Sequence, residues 1–189
     1  MPAGTTLCGT CLTRPPPYAH ALAAVDYAHP WDGLITRFKF HGALDLAPAF
    51  ARLLREAAAR SDAAPPCLLL PMPLSRDRLR ERGYNQAWEL TRRLGASLRC
   101  ATDARLLRRV KDTPHQLALP PDRRADNVRA AFAVEPARMH ELRDRHLTLI
   151  DDVMTTGATA AEAARTLLLA GAREVTVWVV ARTPRPADA

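Results

Sequence analysis

The stretch from Leu147 to Ala181 constrains this chain more than any other. Leu147-Thr148-Leu149-Ile150 is a short apolar run, Ala158 to Ala170 is rich in good helix formers and stops at Gly171, and Glu174 to Ala181 is apolar and β-branched. Strand, turn, helix and strand in that order form a βαβ unit, because two parallel strands need a crossover long enough to hold a helix. The fold class expected is therefore α/β, with a central, mainly parallel sheet flanked by helices. Ligands of such sheets sit beyond the carboxyl ends of the strands, and that is where a turn expected over Asp151 to Thr156 lies.

Upstream segments fit the same plan. Residues 18–28 read as a strand or hairpin, and Pro30 and Asp32 mark a helix whose apolar face is Trp31, Leu34, Ile35 and Phe38, stopped by Gly42. A second helix is expected from Leu46 to Arg60. Cys67-Leu68-Leu69-Leu70, closed by Pro71 and Pro73, has the continuous apolar character of a strand covered on both faces. Met72-Pro73 is a candidate cis peptide. Tyr84 to Leu98 predicts a helix with Trp88, Leu90 and Leu94 in the core. Residues 108–122 read as a long polar loop, 126–131 as a helical turn and Phe132-Ala133-Val134 as a short strand. The 189 residues suit one domain over 18–189, preceded by an irregular appendage over 1–17 that ends in Pro15-Pro16-Pro17.

The formal charge is +7, and it is not spread evenly. Residues 76–124 hold thirteen Arg or Lys against six Asp or Glu, so 13 − 6 = +7 equals the excess of the whole chain. Arg outnumbers Lys by 25 to two (Lys39 and Lys111), and with abundant Ala and Pro this reflects GC-rich coding. The position of the charge is thus more informative than its amount, and a polyanion site should draw on 76–124. No apolar run approaches the roughly 20 residues that span a bilayer, and the start has no basic region followed by an apolar one. A cytoplasmic protein without membrane insertion is expected.

The chemistry concentrates in Leu147 to Thr159. The strand delivers Asp151 and Asp152, and Thr155, Thr156, Gly157, Ala158 and Thr159 follow at the start of a helix. The first N–H groups of a helix have no partner within it, and its dipole favours an anion there. Threonine hydroxyls add donors, and Gly157 lets the backbone approach a phosphate closely. The carboxylates accept hydrogen bonds from a neighbouring diol. Phosphate and diol side by side describe ribose 5-phosphate. For any single threonine the plain alternative is an ordinary helix cap; the combination is what points to a site.

This segment resembles the motif of type I phosphoribosyltransferases that binds phosphoribosyl pyrophosphate (PRPP). Four stretches narrow the resemblance: PMPLSRDRLRERGYNQA (71–87), RxxKDTxxQ (108–116), RRADNVRAAFAV (123–134) and IDDVMTTGAT (150–159). In this order they are similar to the ComF, or competence protein F-like, family, over residues 8–183. The resemblance implies a type I phosphoribosyltransferase-like fold and displacement of pyrophosphate from the anomeric carbon of PRPP with Mg²⁺. Asp151 and Asp152 are its catalytic candidates, and residues 155–159 would hold the 5-phosphate. The loop from Pro71 to Arg82 would face pyrophosphate, with Arg76 and Arg78 as its ligands. Lys111, Thr113 and Gln116 would lie on a loop that closes over the reactants. Purine salvage members carry an Asp base at the place of Thr155; its absence here argues against a hypoxanthine–guanine type enzyme and leaves the acceptor open.

Cys8-Gly-Thr-Cys11 has the spacing of half a zinc site, which His20 or His29 would have to complete; Cys67 and Cys100 read as core or incidental residues. Two further readings follow from the resemblance. One is a competence factor in DNA uptake that binds single-stranded DNA through residues 76–124, with Tyr84 and Trp88 for stacking. The other is a regulator that senses PRPP.

Overall fold

The computed structural model describes residue 13 and residues 15–61, 65–111 and 130–184. Five parallel strands form its central sheet in the order β1 (His20–Asp26), β7 (Glu174–Arg182), β6 (His146–Met154), β2 (Leu68–Pro71) and β3 (Ala101–Thr102). Residues 18–28 thus supply an edge strand parallel to β7, not a hairpin. A second, two-stranded antiparallel sheet joins β4 (Leu107–Arg109) to β5 (Phe132–Val134). Arg108 and Arg109, expected in a loop, are therefore strand residues. The 126–131 turn lies outside the described residues except for its last two positions.

Among the described residues five α-helices are assigned: α1 (Trp31–Phe40), α2 (Ala47–Ala59), α3 (Arg76–Arg82), α4 (Gln86–Leu98) and α5 (Ala158–Leu169). Strand alternation sorts their contacts. Leu68, Leu70, Leu147 and Leu149 pack with Ala160, Ala163, Ala164 and Leu167 of α5 on one face. On the other, Leu69, Ile150, Trp178 and Val180 meet Ile35 and Phe38 of α1, Phe50 and Leu54 of α2, and Leu90 and Leu94 of α4. Both faces are covered, which is why β2 reads as an unbroken apolar run. Trp88, expected in the core, is only half-buried, and Cys67 is exposed because β2 begins one residue later. The cis peptide found is His29-Pro30, not Met72-Pro73.

Two details fix the loops that matter. Asn85 caps α4, its side-chain oxygen accepting from the N–H groups of Ala87 (2.9 Å) and Trp88 (3.3 Å), while its Nδ2 donates to the Met72 carbonyl at 3.1 Å. One side chain thus starts a helix and ties down the turn after β2. Gly95 lets α4 lie against β3: a Cβ there would fall 2.2 Å from Thr102 Cγ2 and 3.0 Å from the Cys100 carbonyl oxygen. Gly95→Ala gains about 1 kcal/mol of helix propensity, but overpacking of this kind costs roughly 1–3 kcal/mol. A lower midpoint of thermal unfolding is expected; an unchanged or higher one would show that β3 is not held against the helix.

The chain leaves β2 toward β3 on one side and β6 toward β7 on the other. The strand order therefore reverses between β2 and β6, and their carboxyl ends frame the crevice where such sheets bind ligands.

Candidate functional site

β6 does not end at Ile150. It stays paired with β7 as far as Met154↔Arg182, so the turn expected from Asp151 begins four residues later. The correction matters for the carboxylates, since neighbouring residues in a strand point to opposite faces. Asp152 turns toward α1, where Lys39 meets it. The Lys39 Nζ lies 3.0 Å from Asp152 Oδ2 and donates to Oδ1 at 3.4 Å. The nearer approach is an ion contact off the hydrogen-bonding direction, so the buried Oδ2 has no hydrogen bond of its own. Asp152 is 2% exposed and the Lys39 side chain 28%.

Asp151 is half-buried, and its Oδ1 accepts from the Asp152 N–H at 2.9 Å. Burial first, and then the negative charge of Asp152, push its carboxyl well above the ordinary carboxylate range. Burial also pushes Asp152 upward and is the largest single influence on it, while the Lys39 charge works against it. Hydrogen bonds from Asp151, Lys39 and the Val153 N–H add to that effect and hold Asp152 below the usual range. Burial opposes the charge of Lys39, yet Asp152 and then Asp151 raise its pKa overall. The triad therefore rests as an ionised Asp152, a charged Lys39 and an Asp151 that holds a proton to unusually high pH.

Beyond β6, Gly157 takes the left-handed conformation (φ 80°) and precedes α5. The Thr156 hydroxyl accepts from the Ala158 N–H at 3.4 Å. Residues 154–160, with Asp151 and Val153, wall a small cavity of about 60 Å³. A second cavity of about 330 Å³ adjoins it, and the two share Asp151, Val153, Thr155 and Thr159. Its cationic wall is Lys39, Arg78, Arg82 and Arg109, and its apolar wall includes Tyr27, Ile35, Phe40 and Leu74.

Of the residues singled out from sequence, Asp151, Asp152, Thr155, Thr156, Gly157, Ala158, Thr159 and Arg78 come together here. Arg76 and Lys111 are exposed and line neither cavity; the Lys111 carbonyl accepts from Arg109 Nε at 3.3 Å. Residues 76–82 form the Arg-rich helix α3, capped by Ser75, in place of an open loop. Thr113, Gln116, Cys8 and Cys11 lie outside the described residues. Among the described residues no group of three or more His, Cys, Asp or Glu is placed to hold a metal, and His20 and His29 are exposed. The half-buried Tyr84 donates its hydroxyl to the Phe38 carbonyl, which ties it to the end of α1.

Sequence reasoning missed Lys39, Arg82, Arg109 and Phe40. Lys39 had a signal, being one of two lysines against 25 arginines. Such a residue supplies the compact point charge that an arginine does not.

No family model matches the chain. Curated proteins do. It is 37% identical over 189 positions to the DNA utilization protein YhgH of Salmonella typhi, covering 97% of this chain and 82% of that one. It is 34% identical over 179 positions to the competence protein F of Haemophilus influenzae, covering 93% and 78%. Among solved structures, it superposes with a TM-score of 0.50 on the glutamine PRPP amidotransferase of B. subtilis, at 14% identity. That match spans 77% of this chain and 30% of the other, and it shows the fold alone. No helix among the described residues is long and apolar enough to cross a membrane. A type I phosphoribosyltransferase-like sheet and relatives of this similarity over most of both chains lead to one conclusion: the chain belongs to the ComF/YhgH family of competence and DNA utilization proteins.

Proposed function

We propose that this protein binds PRPP, or a related ribose 5-phosphate compound, and acts as a phosphoribosyltransferase in DNA utilization. The observation that carries this reading is the sharing of Asp151 between a small cavity at a helix N-terminus and a larger, cation-rich one. A 5-phosphate on residues 155–159 would meet the N–H groups at the start of α5, whose dipole favours an anion, and the threonine hydroxyls. The ribose diol would then lie on Asp151, and the anomeric carbon would face the larger cavity. There Arg78 is the pyrophosphate ligand this reading favours, through bidentate guanidinium hydrogen bonds. Arg76 and Lys111 would have to act from outside the cavity.

The same site suits Mg²⁺. Asp151 opens to both cavities, and the buried Asp152 Oδ2 lacks a hydrogen bond; carboxylate oxygen is the donor this ion takes. Asp151 would hold the ion, which when bound would neutralise charge on the leaving group. The chain's own contribution is orientation and charge: the ionised Asp152 steadies Lys39, and Asp151 fixes the diol while positive charge grows on the sugar.

The names of the relatives favour one further reading, a role on single-stranded DNA, and one experiment separates the two. Titration of PRPP with Mg²⁺ by calorimetry should show saturable binding, lost in Asp151→Asn/Asp152→Asn and weakened at least tenfold in Thr156→Ala. Arg78→Met should weaken it more than Arg76→Met does. Binding of single-stranded DNA should survive in the double Asp variant and fall steeply with salt. A folded wild type that binds DNA but not PRPP would overturn the proposal.

A further inference from the structure

The larger cavity also constrains the acceptor, on the premise that the ribose-phosphate reading is right. With the phosphate on residues 155–159 and the diol on Asp151, the leaving group and the acceptor must share that cavity. Beyond Asp151 and Asp152 its described lining has no carboxylate and no histidine. Thr155 stands where a base would be sought. Among the described residues only the dyad could take a proton there, and Asp152 is engaged by Lys39; an acceptor that attacks through a free lone pair needs no such base.

The part of the cavity wall around Phe40 describes what that acceptor looks like. Phe40 ends α1 with 57% of its surface exposed, unusual for a phenyl ring at the mouth of a cavity, where an unused apolar face costs solvation. Two cations flank the ring: the Arg82 guanidinium carbon lies 5.1 Å from its centroid and Lys39 Nζ 5.9 Å. Gln86 accepts from Arg82 Nη1 and holds that guanidinium at the cavity edge. Tyr27 and Leu74 extend the apolar wall. A planar ring would stack there, and a negative substituent would find Arg82.

Charge balance agrees. Lys39, Arg78, Arg82 and Arg109 bring four positive charges, against the two carboxyls of the dyad. That excess of cations over carboxyls suits an anionic acceptor beside a pyrophosphate held by Arg78.

We infer that the acceptor is a small aromatic carboxylate that attacks through a nitrogen lone pair, stacked on Phe40 with its carboxylate on Arg82. The lone pair forms the bond to the anomeric carbon. The carbon–oxygen bond to pyrophosphate breaks, and its electron pair leaves on the pyrophosphate oxygen. A pyridine-type nitrogen carries no proton, so the balance closes with a cationic ring; an arylamine passes its surplus proton to the departing pyrophosphate.

The test measures pyrophosphate release from PRPP and Mg²⁺ with nicotinate and anthranilate, each against its neutral counterpart, nicotinamide or aniline, with hypoxanthine and adenine alongside. Calorimetry of each acid in the presence of pyrophosphate gives a second readout that needs no turnover. At least one acid should bind, and should release pyrophosphate tenfold or more faster than its neutral counterpart. Arg82→Met and Phe40→Ser, both at the surface, should each lower kcat/KM for that acid tenfold or more while the Kd for PRPP moves less than twofold. Turnover with the neutral bases as fast as with the acids would overturn the inference. So would a protein that binds PRPP yet neither binds nor uses any acid, with the ribose-phosphate site left standing. Failure of PRPP itself to bind would sink the proposed function and the acceptor with it.

Discussion

Lys39→Met should lower the midpoint of thermal unfolding by several degrees near pH 8 and by much less near pH 4.5, and should weaken PRPP binding at least tenfold. The argument starts from Asp152, 2% exposed and facing Lys39 Nζ at 3.0 Å. Removing one partner of a fully buried pair costs about 3–5 kcal/mol. Lys39 is partly exposed, so a loss of about 2–3 kcal/mol is the better expectation, or roughly 4–12 °C for a chain of this size.

The pH dependence follows from three shifts. Asp152 titrates low, so its contribution is present above the ordinary carboxylate range and fades as pH falls through its lowered pKa. Lys39 titrates high, so the pair is intact below the ordinary lysine pKa of about 10.4 and is lost as pH rises through the raised one. Asp151 also titrates high, and an acid that does so disfavours folding increasingly as pH rises from the ordinary carboxylate range toward its raised pKa. Without Lys39 both carboxyls behave like Asp151. The variant is then penalised most where both should be ionised and least where both are protonated. Adding Asp152→Asn to Lys39→Met should recover most of the stability, since no charge is left buried without its partner. A deficit independent of pH, measured by calorimetric scans from pH 4.5 to 8.5, would mean that Lys39 contributes packing and not charge.

Lys39 also shows where sequence reasoning stopped. The βαβ unit, the buried strand β2 and the run from Asp151 to Thr159 were legible because their signals are local: apolar runs, helix formers and a glycine at a turn. The order β1-β7-β6-β2-β3 was not, because pairing between distant strands leaves no trace in either one alone. For the same reason the end of β6 was set too early. Asp151 and Asp152 look like turn residues, and only β7, continuing to Arg182, keeps them in the ladder. The pyrophosphate-facing candidates divided along similar lines. Arg76 and Arg78 are alike in sequence, but on a seven-residue helix they are two positions apart and face differently, so only Arg78 lines the cavity. Lys39 and Phe40 come from a helix 111 or more residues before the dyad, so nothing in the motif announces them.

Gly157→Ala should cost about 1–2 kcal/mol of stability and most of the affinity for PRPP. The residue sits at φ 80°, where a side chain costs roughly 1–2 kcal/mol. Its Cβ would come 3.0 Å from the Tyr18 hydroxyl and 3.8 Å from Met154 Sδ. Two causes of disturbance are thus combined, and they are separable. The contact with Tyr18 is relieved by removing the hydroxyl, whereas the backbone preference is not. Gly157→Ala/Tyr18→Phe should therefore regain part of the stability lost in Gly157→Ala, as read by thermal unfolding. Its affinity for PRPP should stay ten- to a hundredfold below wild type, because a phosphate at the start of α5 depends on how the N–H groups after residue 157 are aimed. Recovery of affinity along with stability would assign the effect to the Tyr18 contact. Full affinity in Gly157→Ala alone would mean that the 155–159 turn does not carry the phosphate, and the ribose 5-phosphate would have to be sought elsewhere along the carboxyl ends of β2 and β6.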